Sequence, residues 1–206
     1  MAGPRITLPP LEIIYRDVWV MQYLYRVMHY WLIENGWADL LGNVDHENME
    51  ILYMERRGTH FNPAHRELRI WWRLQKKPTF FFGGSVYYNY RLDVDFNVIQ
   101  MTDVEIMKDG QKVRAQHGEL RLMINPYIEL ETGAGSEYAG KPWREHPILK
   151  YIESYFRARI LKRTLEDHKK EVYRDAYRFQ GMIKKYLELK TFMPDMEVFH
   201  QKFEYI

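Results

Sequence analysis

The chain has 206 residues, of which 46% are hydrophobic and 28% are charged, and its formal net charge is +2 at pH 7. This balance is typical of a globular protein and excludes collagen-like, low-complexity and disordered chains. Cysteine is absent from the sequence, which excludes disulfide frameworks, thiolate metal sites and cysteine nucleophiles. The sequence has neither the pattern of a signal peptide nor an apolar stretch long enough to span a membrane, so we expect a cytoplasmic protein without a transmembrane segment.

Apolar residues near the N-terminus recur at helical spacing. Within residues 11–32 they step by three and four, and Asn35-Gly36 supplies a stop signal. We therefore expect an N-terminal helix over this segment. Its other sides carry further apolar residues, namely Val20, Tyr23, Val27 and Tyr30. Such a helix needs two packing partners, its own sheet and either another helix of the same chain or a second protein.

Alternation of apolar and polar residues predicts strands in the middle of the chain. It is clearest in residues 67–75 and 86–98, and a shorter strand is expected around residues 49–56. The turn signal at residues 108–110 predicts a hairpin that returns through residues 113–131.

Two residues of the returning strand predict local irregularities. Gly118 is expected to mark a β-bulge, and Pro126 is expected at a bend or at an edge of the sheet. Long strands joined in a hairpin favour a twisted, curved antiparallel sheet, for which we expect about four to six strands.

The C-terminal part of the chain predicts a basic helical region. A glycine-rich segment at residues 132–142 precedes helical periodicity over residues 147–189, and residues 144–190 hold 13 Lys and Arg against 7 Asp and Glu. His168 falls on the apolar stripe of this helix, where a buried, hydrogen-bonded histidine is expected.

The expected fold class is α+β, with an N-terminal helix, a curved antiparallel sheet and a long C-terminal helical region. We expect an α+β domain at residues 1–143. A basic helical region at residues 144–206 either packs on it or projects to a partner.

Aromatic residues are unusually frequent, with 6 Trp, 16 Tyr and 10 Phe. Such side chains are enriched at protein interfaces and also line ligand cavities. The first helix, the segment around residues 80–82 and the C-terminal tail carry more apolar surface than one partner covers. The sequence therefore favours a non-enzymatic protein–protein interaction or assembly subunit that forms homo- or hetero-oligomers. The expected interface residues are Val20, Tyr23, Val27, Tyr30, Phe81, Phe82, Phe199 and Phe203.

Basic residues interleaved with an aromatic residue suggest an alternative. Single-stranded nucleic acid binds where bases stack on aromatic rings and phosphates contact Lys or Arg. The candidate residues are Arg69, Trp71, Arg73, Lys76 and Lys77, together with the basic C-terminal helices.

A polar cluster on one strand face suggests a third possibility. Asp93 and Asp95 are alternate residues with Arg91 beside them, and Glu119 is expected to face them across the hairpin. Paired carboxylates suit acid–base chemistry but are a weak signal for it, and cross-strand ion pairing is the commoner explanation. This alternative is a small-molecule-binding, helix-grip-like domain that could be enzymatic. We expect no assignable catalytic residue, no cofactor and no metal ion, and the chain is not expected to be an enzyme.

Overall fold

The computed structural model describes residues 5–42, 49–59, 62–78, 88–108, 111–130 and 161–189. These residues form an α+β structure of six strands and two helices. In chain order the elements are β1 (Arg5–Thr7), β2 (Leu11–Trp19), α1 (Met21–Glu34), β3 (Glu50–Thr59), β4 (Asn62–Lys76), β5 (Tyr88–Lys108), β6 (Gln111–Leu130) and α2 (Leu161–Tyr186).

All six strands belong to one antiparallel sheet in the order β1, β6, β5, β4, β3, and β2 also pairs with β6. β1 and β2 therefore lie end to end along the same side of β6. Pro9 and Pro10 occupy the break between them. Pro126 of β6 lies at this break, where its carbonyl oxygen accepts a hydrogen bond from the Leu8 backbone at 3.1 Å. Pro126 is thus in an inner strand, at the point where the neighbouring strand is interrupted.

Both helices pack on the same face of the sheet. The Tyr25 ring of α1 meets the Trp72 ring of β4 edge to face at 4.7 Å. The His168 ring of α2 lies 4.3 Å from the Tyr88 ring of β5. The helices contact each other through Trp31 and Phe179, and so α1 has both of its packing partners within its own chain.

The opposite side of the sheet is hereafter the outer face. No described helix covers it. Side chains alternate along each strand, so the buried residues Leu68, Ile70, Trp72 and Leu74 of β4 face the helices. The intervening residues of β4, Trp71 among them, belong to the outer face. The two-layer arrangement thus leaves one sheet face outside the helix–sheet core.

The prediction of a single helix over residues 11–32 is wrong in its first half. Residues 11–19 form β2, and α1 begins at Met21. Leu11 and Ile13 are buried, whereas Glu12 and Ile14 are exposed, which is the burial pattern of a strand. The apolar residues of this segment fit both the helical period of about 3.6 residues and the strand period of two. Pairing with β6 supplies hydrogen bonds to the backbone of the segment, and Leu11 and Ile13 are buried.

The predicted bulge at Gly118 is confirmed. Ile99 pairs with Glu119 and Thr102 pairs with His117, so β5 has one more residue than β6 at this point. Gln100, in the bulge, has a φ of 55°. A Cβ atom on Gly118 would lie 2.9 Å from the carbonyl oxygens of Ile99 and Gln100, and so only glycine fits here without a shift of the backbone.

Beyond the bulge, β5 and β6 continue as a hairpin arm, defined as residues 102–108 and 111–117. Pairing of β4 with β5 ends at Arg66 and Met101, on the near side of the arm. β2 reaches the base of the arm through pairs with His117 and Gln116. Most of the arm therefore pairs only with itself among the described residues.

The helical region expected at residues 147–189 is described only from residue 161 onwards. α2 buries a helical stripe against the sheet and α1 that consists of Val172, Ala176, Phe179 and Ile183. Residues 147–160 and the C-terminal tail lie outside the described residues, and the division near residue 143 stays a prediction.

Candidate functional site

Residues of the outer face form rows that cross the strands. In one row Leu52 of β3, Trp71 of β4, Asp95 of β5 and Met123 of β6 are successive cross-strand neighbours. The adjacent row consists of Met54, Arg69, Asn97, Arg121 and Ile14. These two rows place apolar side chains beside charged ones across the whole width of the sheet.

Four large apolar side chains of these rows are exposed. Ile14, Met54, Trp71 and Met123 each have between 40% and 46% of their surface accessible. Scattered exposed apolar residues are ordinary on protein surfaces, but residues in adjacent rows of one sheet form a patch. The outer face is therefore amphipathic, with Trp71 and Met54 on one side of β5 and Met123 and Ile14 on the other side.

A three-residue ionic cluster borders this patch. The Arg73 guanidinium lies 2.6 Å from Oδ1 of Asp95 and 3.5 Å from Oδ2 of Asp93. It also lies 5.6 Å from the centroid of the Trp71 ring, within the range of a cation–π contact. Burial raises the pKa of Asp93, and the positive charge of Arg73 opposes that shift. Two carboxyl groups thus share one guanidinium, which leaves the cluster with an excess of acid.

Further ion pairs lie at both ends of the outer face. Arg91 donates to Glu129 at 2.9 Å at one end. At the other end Glu119 accepts hydrogen bonds from Arg121 and Arg16, and these guanidinium groups lower the pKa of Glu119. Positive and negative side chains alternate along the face, so most of its charges are neutralised locally.

Two polar atoms near the Arg91 end are buried without a hydrogen-bond partner among the described residues. They are Oδ1 of Asn89 and Nη1 of Arg91. The amide nitrogen of Asn89 is used, because it donates to Gln75 at 3.1 Å. One of these atoms is a hydrogen-bond acceptor and the other is a donor.

The residues predicted for nucleic-acid binding do not share one face. Arg69, Trp71 and Arg73 belong to the outer face, whereas Lys76 faces the helices. Its Nζ lies 2.7 Å from Asp175 of α2 and 5.7 Å from the Trp37 ring centroid. Lys77 follows β4 and is exposed. Because ion pairs occupy Arg73 and Lys76, only two of these four cations, Arg69 and Lys77, lack an ion pair within the described residues.

The predicted polar cluster is divided along the outer face. Asp93 and Asp95 lie together at Arg73, and Arg91 is the next outer-face residue of β5. Glu119 is opposite Ile99, two outer-face positions from Asp95. It therefore binds arginines of its own end of the sheet rather than the two aspartates.

The predicted interface residues of α1 differ in exposure. Val27 packs against the core, Val20 and Tyr23 are half-buried, and Tyr30 is 47% exposed. The other predicted interface residues lie outside the described residues, namely Phe81, Phe82, Phe199 and Phe203.

A second polar cluster lies between α2 and the sheet. The hydroxyl oxygen of Tyr90 is 2.6 Å from Nδ1 of His168 and 2.7 Å from Oε2 of Glu171. Tyr90 and His168 are almost completely buried. Sequence analysis predicted a buried, hydrogen-bonded His168, which is confirmed, but it did not predict the tyrosine partner 78 residues away.

The donor and acceptor properties of Tyr90, His168 and Glu171 decide which atom carries the proton in each hydrogen bond. A tyrosine hydroxyl has one proton and a carboxylate only accepts, so Tyr90 donates to Glu171 and accepts from Nδ1–H of His168. Burial lowers the pKa of His168, although the nearby carboxylates of Glu171 and Asp167 oppose the shift. Burial and the Glu171 hydrogen bond raise the pKa of Tyr90. The cluster therefore holds α2 to β5 through neutral imidazole and phenol groups.

Three exposed apolar residues of the outer face are not predictable as one patch from the local sequence pattern. Ile14 also fits the spacing of a helical stripe, and Met54 has no distinctive local signal. The signal available in the sequence was the position of Met123 among polar residues of its strand, between Arg121 and Asn125. Its position in the same row as Trp71 depends on strand order, which local periodicity does not define.

Comparisons with known proteins assign no function to the chain. No family model, no curated protein and no solved structure matches the chain. Neither helix of the described part of the chain is long and apolar enough to cross a membrane. The described residues also contain no group of three or more His, Cys, Asp or Glu side chains placed to bind a metal ion.

Proposed function

We propose that this protein is a non-enzymatic interaction or assembly subunit that binds a protein partner through its outer face. The observation that supports this most directly is the exposure of Trp71 and Met123, on the two strands that flank β5, on a sheet face that no described helix covers. Tryptophan and methionine are enriched at protein interfaces, where their burial against a partner releases water from apolar surface.

The charges of the outer face support contact with a protein. Arginine beside tryptophan is a frequent combination at interface centres, and the ion pairs at both ends of the outer face suit a polar rim. A nucleic-acid partner needs a surplus of unpaired cations, whereas ion pairs occupy Arg73 and Arg91 of the outer face. We therefore favour the protein partner over the nucleic-acid partner.

The aromatic residues between helices and sheet give less support to a ligand-binding domain. Trp72 contacts both Tyr25 and Phe96 with ring centroids 4.7 Å apart, and Trp31 packs on Phe179 at 5.1 Å. Rings in mutual contact fill a core, whereas a ligand cavity needs rings that face a common space.

To test this, three tagged forms of the full chain are expressed in the cells that make the protein and are purified at low salt. The proteins that co-purify with each form are then compared. The forms are the wild type, Trp71→Glu and the control Tyr177→Glu, which alters an exposed residue of α2. We expect Trp71→Glu to lose defined partner proteins, or further copies of the chain, that the wild type and the control retain. Equal recovery with all three forms would refute the proposed function.

A further inference from the structure

We infer that the partner of the outer face is a second copy of this chain, packed sheet against sheet as a two-fold symmetric dimer. This inference rests on the proposed function, because it names the occupant of the same surface. A two-fold dimer uses the same patch on both subunits, so the patch has to be complementary to itself. The outer face meets this requirement in charge, shape and size.

Charge complementarity follows from the order of the rows. Arg69 is exposed and has no ion pair within the described residues, whereas Arg73, Asp93 and Asp95 carry an excess of acid. Arg69 lies in the row next to that of Trp71 and Asp95. The two-fold axis lies between the two stacked sheets, runs across the strands and passes between these two rows. It therefore places Arg69 of one copy over the partner's Trp71 and beside the partner's Asp95. The same contact is repeated on the other side of the axis.

Shape complementarity follows from the apolar residues of the same rows. The axis places Met54 of one copy over Leu52 of the other copy. It also places Met123 of one copy against Arg121 of the other, and the aliphatic stem of that arginine can cover the methionine. Face-to-face sheets in proteins align within about 30° and lie about 10 Å apart, with interdigitated side chains. Exposed methionine and tryptophan side chains suit this spacing.

The size of the outer face is sufficient for a stable contact. Five strands spaced about 4.8 Å apart, over a length of about ten residues, give a plane of roughly 20 Å by 30 Å. The side chains make its accessible area larger than these roughly 600 Å². Standard interfaces bury about 800 Å² on each partner, so two outer faces form an interface of ordinary size.

Analytical ultracentrifugation of the purified chain over a wide range of concentrations tests the dimer. We expect reversible dimers, with a Kd that rises at least about tenfold in Trp71→Glu and stays unchanged in Tyr177→Glu. Far-UV circular dichroism verifies that both variants fold. Arg69→Glu is expected to weaken the dimer as well, because it places a negative charge beside Asp95.

Cross-linking locates the contact, because the chain has no cysteine of its own. Met123→Cys treated with a bismaleimide about 10 Å long, the separation of stacked sheets, is expected to give covalent dimers. Tyr177→Cys is the matched control on α2 and is expected to remain monomeric under the same treatment. Dimers that pair β3 edges instead would protect β3 amides from hydrogen exchange and leave Met123→Cys without cross-links.

The outcomes separate this inference from the proposed function. A monomer at every concentration overturns the second copy as the occupant, and so does a dimer that Trp71→Glu leaves intact. If a different protein is then captured in a Trp71-dependent manner, the proposed function still stands. If Trp71→Glu changes neither self-association nor capture, both are overturned.

Discussion

His168 is the titratable residue with the clearest consequence for stability. Burial lowers its pKa below 6.5, so the folded protein holds the imidazole neutral, while the unfolded chain takes up a proton near pH 6.5. Below that pH the unfolded state binds more protons, and the free energy of unfolding falls as the pH falls. The contribution of one such group is at most about 1.4 kcal/mol per pH unit.

We therefore expect the unfolding free energy of the wild type to decline below pH 6.5 more steeply than that of His168→Gln. Urea denaturation at a series of pH values measures the difference between the two slopes. His117→Gln is the control, because His117 is exposed on β6. Parallel slopes for the wild type and His168→Gln would contradict a neutral, buried His168.

Tyr90 provides a second prediction at the same contact. Tyr90→Phe removes the hydroxyl that links His168 to Glu171, and it leaves the buried imidazole and the half-buried carboxylate without this partner. We expect a loss of about 1–3 kcal/mol in the free energy of unfolding. Tyr177→Phe, which changes an exposed hydroxyl, is expected to stay within about 0.5 kcal/mol of the wild type. A similar loss in both variants would show that the buried hydrogen bonds do not account for the effect.

Two glycines differ in whether the surrounding structure leaves space for a side chain. Gly118 lies at the bulge, where a Cβ atom would come within 2.9 Å of two backbone oxygens, whereas Gly181 in α2 has open space at its Cβ position. Gly118→Ala is expected to destabilise the protein by about 1–3 kcal/mol through overpacking. Gly181→Ala is expected to stabilise it by about 0.5–1 kcal/mol, because alanine has the higher helix propensity.

Thermal and urea denaturation of the two alanine variants measure both effects. The pair provides its own control, since the substitution is the same and only the element differs. Equal effects in the two variants would contradict the bulge geometry at Gly118.

Helices and strands were predictable from the sequence where the apolar residues followed only one spacing, either that of a helix or that of a strand. The strand at residues 67–75 and the alternation from Tyr88 to Val98 were recognised because apolar and polar residues alternate strictly. Residues 11–19 were assigned to a helix because Leu11, Ile14 and Val18 also fit helical spacing. Pairing with β6 decided between the two periods, and such a long-range contact leaves no mark on local periodicity.

Contacts between distant elements account for what the sequence left open at the candidate site. The alternation of β4 defined the face of Trp71, but the positions of both helices decided that this face is exposed. Lys76 is close to Arg73 in sequence, yet residues separated by an odd number of positions in a strand point to opposite faces. Its bond to Asp175 follows from the path of α2.

The order of strands in the whole molecule predicts which parts of the backbone open first. β5 pairs with β4 and β6 over its central part, whereas β3 has only β4 beside it within the described residues. We expect amide hydrogen exchange to be slowest in the central parts of β5 and β6 and at least about tenfold faster in β3. Mass spectrometry of proteolytic fragments after exchange measures this. Equal protection of β3 in dilute solution would show that another segment covers its edge.

The hairpin arm has a practical consequence for labelling the protein. The two strands of the arm extend past the end of the pairing between β4 and β5 and stay paired with each other as far as Lys108 and Gln111. Loop tips of this kind tolerate inserted sequence well. A short epitope or a fluorophore attachment tag placed between Lys108 and Gln111 is therefore expected to leave folding intact, and it would let a single molecule be followed without any label on the outer face or on the helices.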